Sequence, residues 1–256
     1  MHRTELDHFF NDLLTPANFQ DYCPNGLQVE GTDKLQKIAF AVSATRESIT
    51  QAAKLGADAL VVHHGLFWHF HGARTLTGAF AKRITPLVQH NINLFAYHLP
   101  LDAHPEVGNA AVLGQLIGCQ QQSPFGNYKG NATGIEGLLE QRLTAKELAS
   151  KLQSVLNHDV IIASPDENQI IESVGIITGG ANSDWVLAQK AGLDAYITGE
   201  ISEHDWHESQ EANIHMFAGG HNATESLGIQ ALMRWVQDHN EQHGLRCSYI
   251  PSNNPA

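Results

Sequence analysis

Apolar residues along this chain follow two patterns, short unbroken runs and longer stretches with helical spacing, and the two alternate. Residues 4–14 place Leu6, Phe9, Phe10 and Leu13 on one stripe, which predicts a helix with Thr4 as its cap. After a loop containing Asn25-Gly26, the run Ile38-Ala39-Phe40-Ala41-Val42 predicts a buried strand. Residues 47–55 then predict a helix, and Ala59-Leu60-Val61-Val62 a second strand. Strand, helix and strand with runs this apolar are how a parallel sheet reads in sequence.

The unit occurs twice. Residues 38–64 align without a gap on residues 174–200, and Ala52, Lys54, Gly56, Asp58 and Ala59 recur as Ala188, Lys190, Gly192, Asp194 and Ala195. The likeness resumes where Ile92-Asn93-Leu94-Phe95-Ala96 matches Ile214-His215-Met216-Phe217-Ala218. One extra glycine later, His98-Leu99-Pro100-Leu101-Asp102 lies over His221-Asn222-Ala223-Thr224-Glu225. Each copy therefore closes a strand with His-x-x-x-carboxylate and passes into a helical stretch, 109–116 in one and 227–236 in the other.

Between the copies, residues 134–139 and 160–163 predict strands flanking a helix over 145–156, whose start is marked by a capping box of Thr144 and Glu147. The expected fold class is α/β: two pseudo-duplicated α/β units with mixed or mainly parallel sheets, residues 1–125 and 126–256, similar over 38–116 and 174–236. No Gly-, Ser- or Pro-rich linker separates them, so they are expected to pack together around a shared metal cleft.

Histidine is what composition adds to this picture. There are 16 of them in 256 residues, and several stand at predicted strand ends, where ligands gather in parallel sheets. His63 and His64 follow directly on residues 59–62, while Asp102 and Glu225 come four residues after His98 and His221. Imidazole nitrogen combined with carboxylate oxygen is a donor set for Zn²⁺, Fe²⁺ or Mn²⁺ rather than for Ca²⁺ or Mg²⁺. Taken singly, the doublet also suits hydrogen-bonded loop histidines, and each carboxylate motif suits solvated surface residues. Recurrence at equivalent places in both copies favours metal.

Charge balance favours two divalent ions, held by His63, His64, Asp102, His221 and Glu225. Glu225 or Asp102 is expected to bridge and the imidazoles to be terminal. His98 stays open between a ligand, a group that orients Asp102 and an acid/base, with the last two ranked ahead. The second copy has Gly199-Glu200 where the first has the histidine doublet, so one asymmetric cleft is expected rather than two sites.

Other polar clusters receive plainer readings. His204 and His207, with Glu203 and Glu208 near Trp206, read as a helix-spaced polar cluster, a third metal there being the minor alternative. His69 and His71 are expected at the cleft mouth, and His2, His8, His239 and His243 in solvent. Thr178-Gly179-Gly180-Ala181-Asn182-Ser183-Asp184 reads as a glycine turn before a phosphate cradle.

The net charge of -12, from 15 Lys+Arg against 27 Asp+Glu, with no basic cluster, disfavours unspecific nucleic-acid binding. Three cysteines, Cys23, Cys119 and Cys247, lie too far apart in sequence to read as a disulfide framework or a thiolate site. The first residues show no apolar signal region, and no run approaches the roughly 20 residues of a membrane span. A cytoplasmic protein is expected.

The spaced set Asn25-Gly26-Leu27-Gln28-Val29-Glu30-Gly31, Val62-His63-His64-Gly65-Leu66-Phe67-Trp68, Tyr97-His98-Leu99-Pro100-Leu101-Asp102, Thr198-Gly199-Glu200 and Gly220-His221-Asn222-Ala223-Thr224-Glu225 resembles the Nif-three-like family, also called GTP cyclohydrolase 1 type 2 homologues. The resemblance spans nearly the whole chain and is to the compact form without an inserted domain. It implies a two-unit fold, a dinuclear metal centre and ring-shaped homohexamers, with the ligands on His63, His64, Asp102, His221 and Glu225. The expected function is that of a metal-dependent hydrolase acting on a small nucleotide-like or heterocyclic substrate, with His98 shuttling a proton. The alternative is a non-catalytic metal-binding ring scaffold or interaction protein.

Overall fold

The apolar runs become the inner strands of two separate sheets in a computed structural model that describes residues 1–256. In chain order the elements are α1 (Arg3–Leu14), β1 (Gly26–Val29), β2 (Lys37–Ser43), α2 (Arg46–Leu55), β3 (Ala59–His64), α3 (Gly78–Gln89), β4 (Asn93–Ala96), α4 (Leu99–Asp102), α5 (Asn109–Ile117) and β5 (Cys119–Phe125). There follow β6 (Gly134–Thr144), α6 (Ala145–Leu156), β7 (Ile161–Ala163), β8 (Ile170–Ile176), α7 (Trp185–Ala191), β9 (Ala195–Thr198), α8 (Glu203–Glu211), β10 (His215–Ala218), α9 (His221–His239) and β11 (Arg246–Tyr249).

The chain forms two units. Unit 1 comprises Met1–Leu101 and Ile229–Asn253; unit 2 comprises Asp102–Gly228 and Asn254–Ala256. Unit 1 carries a five-stranded sheet in the order β1-β4-β3-β2-β11, parallel except for β1. Its core is built on Ala39, Ala41, Leu60, Val62, Leu94 and Ala96, with Ile49, Ala52, Ile84 and Leu87 from α2 and α3. Unit 2 carries a six-stranded mixed sheet, β5-β6-β8-β9-β10-β7, in which β8, β9 and β10 are parallel. Ala59, Leu60, Val61 and Val62 are all 0% exposed. A strand buried on both faces has no polar positions to alternate, which is why it reads as an unbroken run.

The duplication is visible in the hydrogen bonds as well as the topology. In both units three parallel strands (β2-β3-β4; β8-β9-β10) are flanked by an antiparallel strand, β1 or β7. The repeated aspartate does the same work twice. Asp58 Oδ2 accepts the backbone N–H groups of Gln36 (2.8 Å) and Lys37 (2.9 Å) at the start of β2, and Asp194 Oδ2 accepts those of Glu172 and Ser173 (2.9 Å each) in β8. The repeated glycine likewise ends the helix in the left-handed region, with φ 62° at Gly56 and 74° at Gly192.

Three details differ from the sequence reading. The boundary drawn at 125/126 departs from the grouping above, because β5 pairs with β6 and β11 pairs with β2. Such edge pairings leave no local periodicity. The cap of α1 is His2 rather than Thr4: its ring accepts from the Thr4 N–H, and Glu5 accepts the His2 backbone N–H, completing a capping box. Finally, α9 starts at His221 rather than 227, so His221 and Glu225 share its first turns at i,i+4 spacing.

No helix is long and apolar enough to cross a membrane. All three cysteines are free thiols whose pKa values are raised by burial.

Candidate metal centre

In unit 1, three imidazoles meet at the carboxyl ends of β3 and β4. His63 and His64 are neighbours on β3, yet their ring centroids lie 4.6 Å apart; that of His98 is 5.1 Å from His63 and 5.7 Å from His64. One ring nitrogen of each lies within 4.8 Å of the others. The strand-end doublet therefore brings both rings to one place, as expected. His63 is 0% exposed, and its Nδ1 is 3.0 Å from the Tyr97 carbonyl oxygen. His64 Nδ1 is 3.0 Å from Ser43 Oγ, its neighbour across the β2–β3 register.

His98 Nδ1 is 2.7 Å from Asp21 Oδ1, in a loop that precedes β1. The same carboxylate accepts the Leu99 N–H (3.0 Å) and Asn25 Nδ2 (2.9 Å), while Asn25 Oδ1 accepts the His98 N–H (2.8 Å). Burial, the largest single influence on Asp21, pushes its pKa up. The donors and charge of His98, with Asn25 and Leu99, outweigh burial and hold it at about 2. Gln28 braces the other strand end, its Oε1 accepting the Leu66 N–H at 2.8 Å. Trp68 stands edge-on to His98 at 5.1 Å and also lines a cavity of about 460 Å³ with Pro24, Phe67, His69, Gly72 and Arg74.

In unit 2, the first turn of α9 supplies His221 and Glu225. His221 Nδ1 is 2.6 Å from Glu200 Oε1, and its Nε2 is 3.2 Å from Glu225 Oε1. Burial disfavours the charged ring, but Glu225 and Glu200 together raise its pKa to about 9. Glu225 is itself only 3% exposed. Gly179 makes room for it: a Cβ there would collide with Glu225 Oε1, and its φ of +71° suits glycine. That is the service of the Gly179-Gly180 turn. Asp102 Oδ1 accepts from Asn109 Nδ2 at 2.7 Å, and the Oδ1 of this fully buried Asn109 accepts the Gly228 N–H at 3.0 Å.

The predicted site residues thus gather as His63, His64 and His98 in unit 1, and as His221 with Glu225 in unit 2, where Asn109 holds Asp102. Their surroundings fit a metal. Carbonyl and carboxylate oxygens only accept, so His63 and His98 present an N–H at Nδ1, whereas His221 faces a carboxylate through each of its nitrogens. Metal-binding histidines are characteristically held in this way, the second nitrogen donating to a carbonyl or carboxylate. His204 and His207 instead make loose contacts with Asp205 (3.5 Å) and Glu203 (3.3 Å) on an exposed face of α8.

Sequence reasoning missed Asp21, Ser43, Asn109 and Glu200 as supporting residues. Only Glu200 left a signal, at the repeat position equivalent to His64.

A pseudo-duplicated α/β chain with imidazole and carboxylate groups at its strand ends defines the class of protein. A profile described as Duf34/NIF3 (NGG1p interacting factor 3) matches residues 1–255, and the chain belongs to that family. It is 42% identical over 258 residues, covering all of both chains, to a Vibrio cholerae protein named GTP cyclohydrolase 1 type 2 homolog. Among solved structures it resembles protein ybgI, described as of unknown function, with a TM-score of 0.90, 38% identity and full coverage of both chains. It also resembles TTHA1606 from Thermus thermophilus, at a TM-score of 0.88 and 30% identity, again over the full length of each.

Proposed function

We propose that this protein is a metal-dependent hydrolase acting on a small nucleotide-like or heterocyclic substrate. In this reading His63, His64, Asp102, His221 and Glu225 hold two divalent ions, zinc, iron or manganese. The observation that carries it is the shared anchoring of the imidazoles through Nδ1, by Tyr97 O, Ser43 Oγ, Asp21 and Glu200, which leaves Nε2 as the nitrogen available to an ion. The bound ions supply positive charge that polarises a substrate oxygen or ring nitrogen.

The chain's own groups do the rest. His98, outside the five ligands, gives or takes the substrate's proton at Nε2. The cavity shared by Trp68 and Arg74 offers an aromatic wall and one cation to a planar, negatively charged ligand. The name borne by the Vibrio cholerae relative puts purine nucleotides first in a substrate screen. A homohexameric ring in the cytoplasm completes the reading.

The test is elemental analysis of anaerobically purified protein together with a screen across nucleotides, phosphoesters and heterocycles. Wild type is expected to carry near two ions per chain and to turn over a member of the screen, and Glu225→Ala or His63→Ala to lose both. Hydrolysis that persists after metal loss would falsify the proposal; metal binding with no turnover in any class would favour the scaffold.

A further inference from the structure

The loop ahead of β1 contains no proposed ligand, yet it reaches the site at one point. Asp21 lies 77 residues from His98 in sequence, with its side chain 2% exposed, and places one oxygen 2.7 Å from His98 Nδ1. Its other oxygen accepts the Leu99 N–H and Asn25 Nδ2, so the carboxylate is fixed at both ends. We infer that Asp21 is the positioning residue of His98: by accepting the Nδ1 proton it selects the tautomer whose lone pair is on Nε2, in a ring 5.1 Å from that of His63 and 5.7 Å from that of His64, and so decides which nitrogen exchanges a proton with substrate. This rests on the reading of His98 as the acid/base group.

The geometry separates this role from simple bracing. Bracing the β4–α4 turn needs only an acceptor for the Leu99 N–H, which any amide oxygen supplies. Tautomer selection needs an acceptor at His98 Nδ1 that cannot donate, and a carboxylate is such a group. Asn25 braces the same turn through the His98 backbone and does not touch the ring nitrogen. It is the natural control. An aspartate that orients a catalytic imidazole by this bond is a known device in other hydrolases.

The experiment uses the full chain loaded with zinc, selectively labelled on histidine nitrogens, and read by long-range proton–nitrogen spectra at alkaline pH. Wild type is expected to show His98 protonated on Nδ1. Asp21→Asn keeps an oxygen for Leu99 and offers an amide N–H to the ring, so His98 is expected to switch to the Nε2-protonated form with zinc content unchanged. Where a substrate is in hand, kcat is expected to fall on the order of 10²-fold or more, with KM little altered. Asn25→Ala is expected to leave the tautomer as in wild type.

A wild-type His98 protonated on Nε2, an unchanged tautomer in Asp21→Asn, or a switch in Asn25→Ala of the same kind overturns the inference. Zinc loss in Asp21→Asn matching that of His63→Ala also overturns it, by making Asp21 part of metal retention. If the tautomer switches as expected and no compound is ever hydrolysed, the hydrolase reading fails and the positioning of His98 stands.

Discussion

At the scale of single residues, the site is organised by which atoms can only accept. Tyr97 O, Asp21 and Glu200 each face an imidazole Nδ1, and each requires an N–H there. Asp21 adds a consequence for stability, because its carboxyl sits at about 2 instead of its ordinary 3.8. A carboxyl with a depressed pKa stabilises the fold when ionised, so this contribution is complete above 3.8 and is lost as pH falls toward about 2. The shift corresponds to roughly 2 kcal/mol. Asp21→Asn is therefore expected to flatten the acid limb of the stability curve, with the difference from wild type vanishing at the lowest pH. Denaturant titrations at stepped pH read this directly, and an unaltered acid limb would contradict it.

At the scale of elements, the duplicated unit carries its own fastening. Asp58 and Asp194 each tie the turn before a central strand to the start of the neighbouring strand. Removing a carboxylate that satisfies two backbone donors costs roughly 1–2 kcal/mol at partly exposed sites. Asp194 also accepts Ser173 Oγ at 2.9 Å, a bond without a counterpart in the first copy. Both Asp58→Ala and Asp194→Ala should lower the unfolding midpoint, Asp194→Ala by the larger amount. The reverse order in urea titrations would mean that the two copies no longer share the device.

For the whole molecule, the proposed metal centre ties metal loading to stability, and the proposed ring has a mass of its own to be measured. A ligand bound only by the folded chain stabilises it by about 2.7 kcal/mol at a hundredfold excess over its Kd. Wild-type protein is accordingly expected to melt lower after chelation and to recover with added zinc, whereas Glu225→Ala melts at one temperature in both conditions. Sedimentation of the same samples should give about six times the 28.0 kDa chain mass for wild type. A chelator-insensitive wild type, or a monomeric mass, would count against the proposed centre or ring respectively.

Much of this is legible in the amino-acid sequence. Strands β2, β3, β4, β8, β9 and β10, the repeat that relates them, and the candidate donor residues at their ends are local features: apolar runs, a recurring aspartate and glycine, His-x-x-x-carboxylate. Local spacing records such things because each residue's neighbours in sequence are also its neighbours in the element. The edge strands β5 and β11 carry no such record, since their place depends on hydrogen bonds to partners elsewhere in the chain. The same holds for the groups that aim the imidazoles. Tyr97 O lies 34 residues from His63, Glu200 lies 21 from His221, and Asp21 lies 77 from His98. Sequence alone named the candidate donor side chains; only the tertiary fold decided which oxygen meets Nδ1 of each ring, because that oxygen is brought from a distant part of the chain.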